Sequence, residues 1–230
     1  MHKLLKTLTG LVLFLTFVVG TFFWFEAEKE VRILCSMFHE GQPEASVTHT
    51  LDTGHFLGYR PVQQNGEESI RVSTPYTLGS NRCIVRLTPE GAVQSARYQQ
   101  SFSLNKTAAW LGALGFLCLG IFQFMLAAGR PLGHLAWGGR HRVLPRSLRI
   151  ASGISGLVLL AGIPLLLQRA TLIQLPRASE PAYYATWAFA ALFGISYFAN
   201  RRSTSLAERT WMSRAALLLC CLCIIVGMAG

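Results

Sequence analysis

The chain has 230 residues, 51% of them hydrophobic and only 14% charged, with a formal net charge of +10 at pH 7. A soluble globular domain carries about 25% charged residues. This composition, with a mean hydropathy of +0.37, excludes an ordinary soluble protein and points to a bilayer as solvent.

Five apolar stretches carry the excess: residues 4–25, 107–128, 150–167, 182–199 and 215–230. A helix needs roughly 20 residues to cross about 30 Å of hydrocarbon. The first two stretches have that length, the next two reach it with snorkelling flanks, and the last is short. The expected fold class is therefore membrane α-helical, with five transmembrane helices and one segment, residues 26–106, large enough to fold in water. Lys3 and Lys6 ahead of the first stretch also suit a secretory signal. Its far end reads "TFFWFEAEKE", however, with bulky aromatics where cleavage needs small residues. Residues 1–25 thus read as a retained anchor. Cys35 follows Arg32, Ile33 and Leu34, which does not suit lipid attachment.

Beyond the anchor, Val31, Leu34, Cys35 and Phe38 recur at helical spacing, so the first helix is expected to continue outward with one apolar face. Gly41 breaks it. In "QPEASVTHTLDTG", Pro43 and Glu44 suit a first helical turn and Gly54 a C-terminal cap. Strand-like stretches follow: "FLGYR", "SIRVST" with Ile70 and Val72 alternating, "RCIVRL" with Cys83, Val85 and Leu87 on one face, and "AVQSARYQ" anchored by Val93. The turn "TPEG" at 88–91 fits a hairpin with Gly91 left-handed. The expectation is a small α+β domain, two helices and then an antiparallel sheet. In that order, and in "GQPEASV" and "TPEGAV", the segment resembles small envelope domains of the SmpA/BamE type. The resemblance implies binding of partner proteins without catalysis. Those domains usually stand on lipid anchors, where this chain has a helix.

Of the six cysteines, only Cys35 and Cys83 fall outside the apolar stretches, and both are expected to face the core of this domain. In an oxidising compartment such as the periplasm they would form a disulfide. Closing a loop of about fifty residues contributes about 3 to 4 kcal/mol in the chain-entropy model. In a reducing compartment they would be two buried thiols. Cys118, Cys220, Cys221 and Cys223 read as small packing residues, since a structural metal wants four ligands in closed geometry.

Charge placement gives the expected topology. With the amino terminus inside, the inner pieces hold Lys3, Lys6, five arginines at 130–149, and Arg201, Arg202, Arg209 and Arg214, against the single acid Glu208. The outer pieces balance ten bases with ten acids. This positive-inside pattern accounts for the net charge without nucleic acid. Residues 107–230 then form a four-helix module with short connections, flanked by Trp110, Tyr183, Tyr184, Trp187, Tyr197 and Trp211. Gly112, Gly115 and Gly120 on one span and Gly153, Gly156 and Gly162 on the next would permit close helix contact, and Pro164 is placed to kink the latter. No ionisable residue stands well inside the last four stretches, which sets aside ion relays and axial haem ligation. Lys6 stands one turn from the inner end of the first, where it can snorkel.

The most basic loop is "RPLGHLAWGGRHRVLPRSLR" at 130–149, which Gly138, Gly139 and Pro145 make a compact turn. His134 and His141 stand seven apart without a third ligand nearby, so neither metal nor cofactor is expected. Arg140, Arg142, Arg146 and Arg149 suit anionic lipid headgroups, at on the order of 1 kcal/mol each. Trp137 suits the interface. The plainer alternative is a turn that fixes the geometry of the second and third spans. The run "WGGRHRVLPRSLRIAS" at 137–152, in its four-span frame, resembles a motif of small bacterial integral membrane proteins without an assigned activity. It implies residence in a bacterial membrane.

These features lead to the expectation of a non-enzymatic inner-membrane protein of a Gram-negative bacterium, whose outer domain binds an envelope or membrane-complex partner. The alternative is a small carrier or channel for a lipid-like or apolar substrate. His49, Asp52 and His55 are the nearest approach to a catalytic cluster, and they read as flanks of the second helix.

Overall fold

The computed structural model describes residues 2–64 and 67–229, with side chains for all of these except 2–7, 64 and 67. The side chains of Lys3 and Lys6 therefore lie outside the described residues. The chain divides into two compact units, Met1–Ser103 and Leu104–Gly230.

In the first unit, helix α1 (His2–Ser36) runs unbroken for 35 residues. Its early part leaves Leu8, Leu11, Val12, Leu13 and Leu15 exposed, an all-round apolar surface of the kind lipid requires. Further on one face turns inward, and Ala27, Val31 and Cys35 are buried. Gly41 then takes a positive φ of 81° and ends the direction of the helix. Helix α2 (Glu44–Leu51) starts after Pro43, which is extended and so stands one position before the helix. Its end departs from expectation: Asp52 is the C-cap, and Gly54 is not left-handed. Gly54 is small for another reason, because a Cβ there would fall 2.7 Å from Leu57 Cγ.

Strands β1 (Gly58–Gln64), β2 (Glu67–Ser73), β3 (Asn81–Leu87) and β4 (Val93–Gln100) form one antiparallel sheet in the order β1-β2-β3-β4. Alternation aims Ile70, Val72, Cys83, Val85 and Leu87 at one face, where they bury the apolar sides of both helices. The β3–β4 turn closes with Gly91 N–H donating to Thr88 O, and Gly91 has φ +75°. Backbone bonds from Gly41 N to Val93 O and from Val93 N to Gln42 O sew the inter-helix linker to the edge of β4.

The second unit is a ring of four helices: α3 (Leu104–Ala127), α4 (Arg146–Arg169), α5 (Ser179–Arg201) and α6 (Ser213–Met228), the last preceded without a break by a π-helical turn at Glu208–Met212. Neighbours run antiparallel, as the glycine contacts show. A Cβ on Gly112 would fall 2.7 Å from Leu166 Cδ2, and one on Gly156 3.1 Å from Phe124. Gly162 meets Phe189 and Gly227 meets Trp187 in the same head-to-tail sense. Phe116, fully buried, stands at the centre with its ring 4.8 Å from Phe189 and 5.4 Å from Phe193. Small residues bring the backbones close enough for these rings to fill the middle.

Among the described residues four helices, not five, are long and apolar enough to cross a membrane: Leu8–Ser36, Leu104–Ala127, Arg146–Arg169 and Glu208–Met228. The chain therefore has the character of a membrane protein. The helix expected as the fourth span, α5, has 23 residues, but Glu180, Thr186, Ser196 and Asn200 dilute its apolarity. The last apolar helix is not short. It begins seven residues before the apolar run at 215–230, because Glu208–Met212 is helical despite its polar letters, and reaches 21 residues.

Candidate functional site

Cys35 on α1 and Cys83 on β3 are joined in a disulfide across 48 residues of sequence. It pins the helix to the centre of the sheet. A second tie is charged: the Glu30 carboxylate accepts from the backbone N–H groups of His55 and Phe56 at 2.7 and 2.8 Å. A third lies at the edge, where the Tyr98 hydroxyl donates to Asn81 Oδ1 at 2.9 Å. Burial, with Glu28 adding to it, pushes the Tyr98 phenol up to about 12. Of His49, Asp52 and His55, Asp52 is the C-cap of α2 and accepts from the Tyr59 hydroxyl at 2.7 Å.

The opposite face of the sheet carries a pattern that the register creates. Arg60 pairs with Arg71, Arg71 with Ile84, and Ile84 with Arg97, one row across four strands. Arg82 and Arg86 lie two residues to either side of Ile84 on β3 and so share its face. Ile84 is thus ringed by four arginines, with a fifth beyond Arg71. The ring is open to solvent: Arg60, Arg86 and Arg97 are exposed and Arg71, Arg82 and Ile84 half-buried. Among the described side chains this face carries no carboxylate. Sequence reasoning counted the domain's charges as balanced and missed their segregation.

In the second unit, the loop singled out by its arginines is a folded lock. Gly129 ends α3 with φ +80°, and the Arg149 Nε–H donates to Ala127 O at 2.8 Å, satisfying a carbonyl that the helix end leaves open. Arg146 and Arg149 belong to the first turn of α4 rather than to the loop. Two tight turns, Gly133–Leu135 and Trp137–Gly139, form the middle. The Trp137 Nε1–H donates to Ser152 Oγ of α4 at 3.0 Å, and Ser152 is fully buried. The Ser205 hydroxyl donates to His134 O at 2.9 Å and the Thr204 hydroxyl to Gly138 O at 3.1 Å. Gly138, at φ +82°, donates its N–H to Glu208 Oε1 at 2.8 Å. His134, Arg140, His141, Arg142 and Arg146 are exposed. Trp137 and Arg149 thus fasten this end of the helix ring together, whereas Arg140, Arg142 and Arg146 point no side chain into it and are exposed.

Glu208 was the signal available in sequence, as the lone acid among the basic loops. Its burial was not: it is 4% exposed, in the π turn, on the wall of a cavity of about 460 Å³. Gln123 of α3 lines the same cavity, and its Oε1 is buried without a hydrogen-bond partner among the described residues. Among the described residues no cluster of His, Cys, Asp or Glu is arranged to hold a metal ion, and Cys220 and Cys223 are buried as packing residues.

The class defined by these features is a multi-helix membrane protein carrying a disulfide-pinned α+β domain. Comparison of the chain with family models, with curated proteins and with solved structures gives no match.

Proposed function

We propose that this chain is a non-catalytic docking protein, anchored by five membrane-crossing helices, whose α+β domain captures an acidic segment of a partner protein on its open sheet face. The observation that carries this reading is the ring of Arg71, Arg82, Arg86 and Arg97 around Ile84. Like charges gathered on one face repel one another, and a carboxylate-bearing partner relieves that repulsion. Arginine forks suit carboxylates in bidentate geometry. An apolar centre inside a charged rim is also the anatomy of a protein interface, where central anchors carry most of the affinity. A bare polyanion would have no use for Ile84.

In the same reading the membrane is the inner membrane of a Gram-negative bacterium, with the amino terminus cytoplasmic and the docking domain and the carboxyl terminus periplasmic. The one-sided excess of basic residues supports that orientation, and the disulfide suits an oxidising compartment. Helix α5 supports a fifth crossing, since its outward residues Leu192, Ile195 and Phe198 are exposed and apolar.

The test places a photocrosslinking amino acid at Ile84 in the full chain, in intact cells. The expected result is one discrete protein adduct whose crosslinked peptide is rich in Asp and Glu, reduced at least tenfold when Arg71 and Arg97 are both changed to Glu. A protein adduct indifferent to that reversal, capture of lipid or polysaccharide alone, or no adduct at all would overturn the reading.

A further inference from the structure

The cavity in the second unit lies at the loop end of the helix ring, under the turn of Trp137 and Gly138. Its volume of about 460 Å³ falls within the roughly 300–1,000 Å³ of small-molecule sites. Most of the wall is apolar, with Leu119 and Phe122 from α3, Phe193 from α5 and Met212 from the π turn. Its polar groups are unevenly matched. Among the described residues Gln123 Oε1 accepts no hydrogen bond, and the one bond found at the Glu208 carboxylate comes from Gly138 N–H. A buried acceptor without a donor is destabilising, and at the wall of a cavity a bound ligand is one way to supply the donor. Arg202, exposed, also lines the cavity and adds a cation to its rim.

We propose that this cavity binds a primary ammonium group joined to an apolar chain, with the ammonium donating to Gln123 and Glu208 and the chain lying along Leu119, Phe122 and Phe193. A carboxylate and an amide oxygen in an apolar pocket together select a cation that has N–H groups to give. A quaternary ammonium has the charge and no donor, so it leaves Gln123 unsatisfied. The aromatic ring of Trp137 borders the same space, its Nε1–H already engaged by Ser152, and adds attraction for a cation. Two sources supply this chemistry. One is an aminophospholipid, whose phosphate would meet Arg202 while its ethanolamine enters; the other is a free alkylamine. The site adds ligand recognition to the membrane module and does not depend on what the sheet face binds.

The test uses the full chain purified in detergent. Native mass spectrometry would count the lipids retained from equal mixtures of phosphatidylethanolamine, phosphatidylcholine and phosphatidylglycerol, and thermal melting would be followed with and without dodecylamine. Two variants serve as controls. Gln123→Leu removes the acceptor without breaking any hydrogen bond found at that oxygen among the described residues, and its melting temperature without ligand checks that it folds. Ala216→Phe fills the cavity from α6. An aminophospholipid source predicts at least tenfold preference for phosphatidylethanolamine over phosphatidylcholine, reduced at least fivefold in Gln123→Leu and lost in Ala216→Phe. A free amine source predicts no lipid preference, but a melting shift with dodecylamine in the wild type that both variants lose. Equal retention of the three lipids with no dodecylamine shift would overturn the proposal, as would a preference that survives both variants.

Discussion

The two units bury their cores with different materials. Under the sheet the buried residues are large and branched: Val31, Phe38, Val47, Leu51, Ile70, Val72, Val85 and Val93. In the helix ring, glycine and alanine make up much of the contact surface, with Ala108, Ala109, Gly112, Gly120, Gly156 and Gly162 buried or half-buried between helices. Water rewards the removal of bulky apolar surface, at about 25 cal/mol per Å². A lipid chain is as apolar as leucine, so a helix gains little by hiding leucine from it. What remains is close packing, which small residues permit, and hydrogen bonds at helix ends. The lock between Trp137 and Ser152 and between Gly138 and Glu208 supplies such bonds. The sheet domain, being small, has a covalent tie instead.

The largest expected effect breaks the comparison at that tie. Changing both Cys35 and Cys83 to serine removes about 3 to 4 kcal/mol from the first unit and nothing from the second. Hydrogen exchange on the full chain, read peptide by peptide, should show protection lost across β3 and β4 and kept across α3 and α4. A reductant should reproduce this in the wild type. Equal loss in both units would mean that their cores are not separate.

The next effect falls on the other side. A Cβ at Gly162 would lie 2.5 Å from Phe189 and 2.9 Å from Phe116, both ring atoms with no flexible end to retreat. Gly162→Val should therefore cost the helix ring about 1 to 3 kcal/mol by overpacking, measured as unfolding in mixed micelles. The first unit should be untouched, and reductant should make no difference. A neutral result would show that the ring yields by helix sliding, and that glycine there is not a packing requirement.

Legibility in the sequence followed the same division. The outward run of α1, the hairpin at Gly91 and the inward placement of Cys35 and Cys83 were readable, because water imposes strict periods on a half-buried helix or strand. The arginine ring was not. Its members alternate correctly with the core residues, but their meeting around Ile84 depends on cross-strand register, which the turns and the irregularity between Arg86 and Leu87 decide. The domain's acids hid it further, since Glu28, Glu30, Glu44 and Asp52 lie on or beside the helices. In the membrane module, Glu208–Met212 looked like a loop because Glu208, Arg209 and Thr210 are polar. It is helical because Glu208 finds its partner in Gly138, 70 residues away in sequence, a contact no local pattern encodes.

The smallest effect sharpens the comparison through pH. Tyr98 is held at about 12, up from its usual 10, chiefly by burial against the sheet core. A phenol whose value is raised in the fold contributes stability that is fully present below its unfolded value and is lost as pH rises through the folded one. The first unit should therefore weaken progressively as pH rises from about 10 toward about 12, seen as a falling urea midpoint. Tyr59, also held above its ordinary value by its bond to Asp52, is exposed, so solvent screens its share. Tyr98→Phe should flatten most of the slope. It also removes the bond to Asn81, so at neutral pH the variant should be less stable by about 0.5 to 1.5 kcal/mol. The wild-type and variant curves then converge at high pH, where the wild type has lost what the phenol contributed. Parallel curves would mean that Tyr98 ionises freely in the fold, and that the edge of the sheet at Asn81 is wetter than its burial implies.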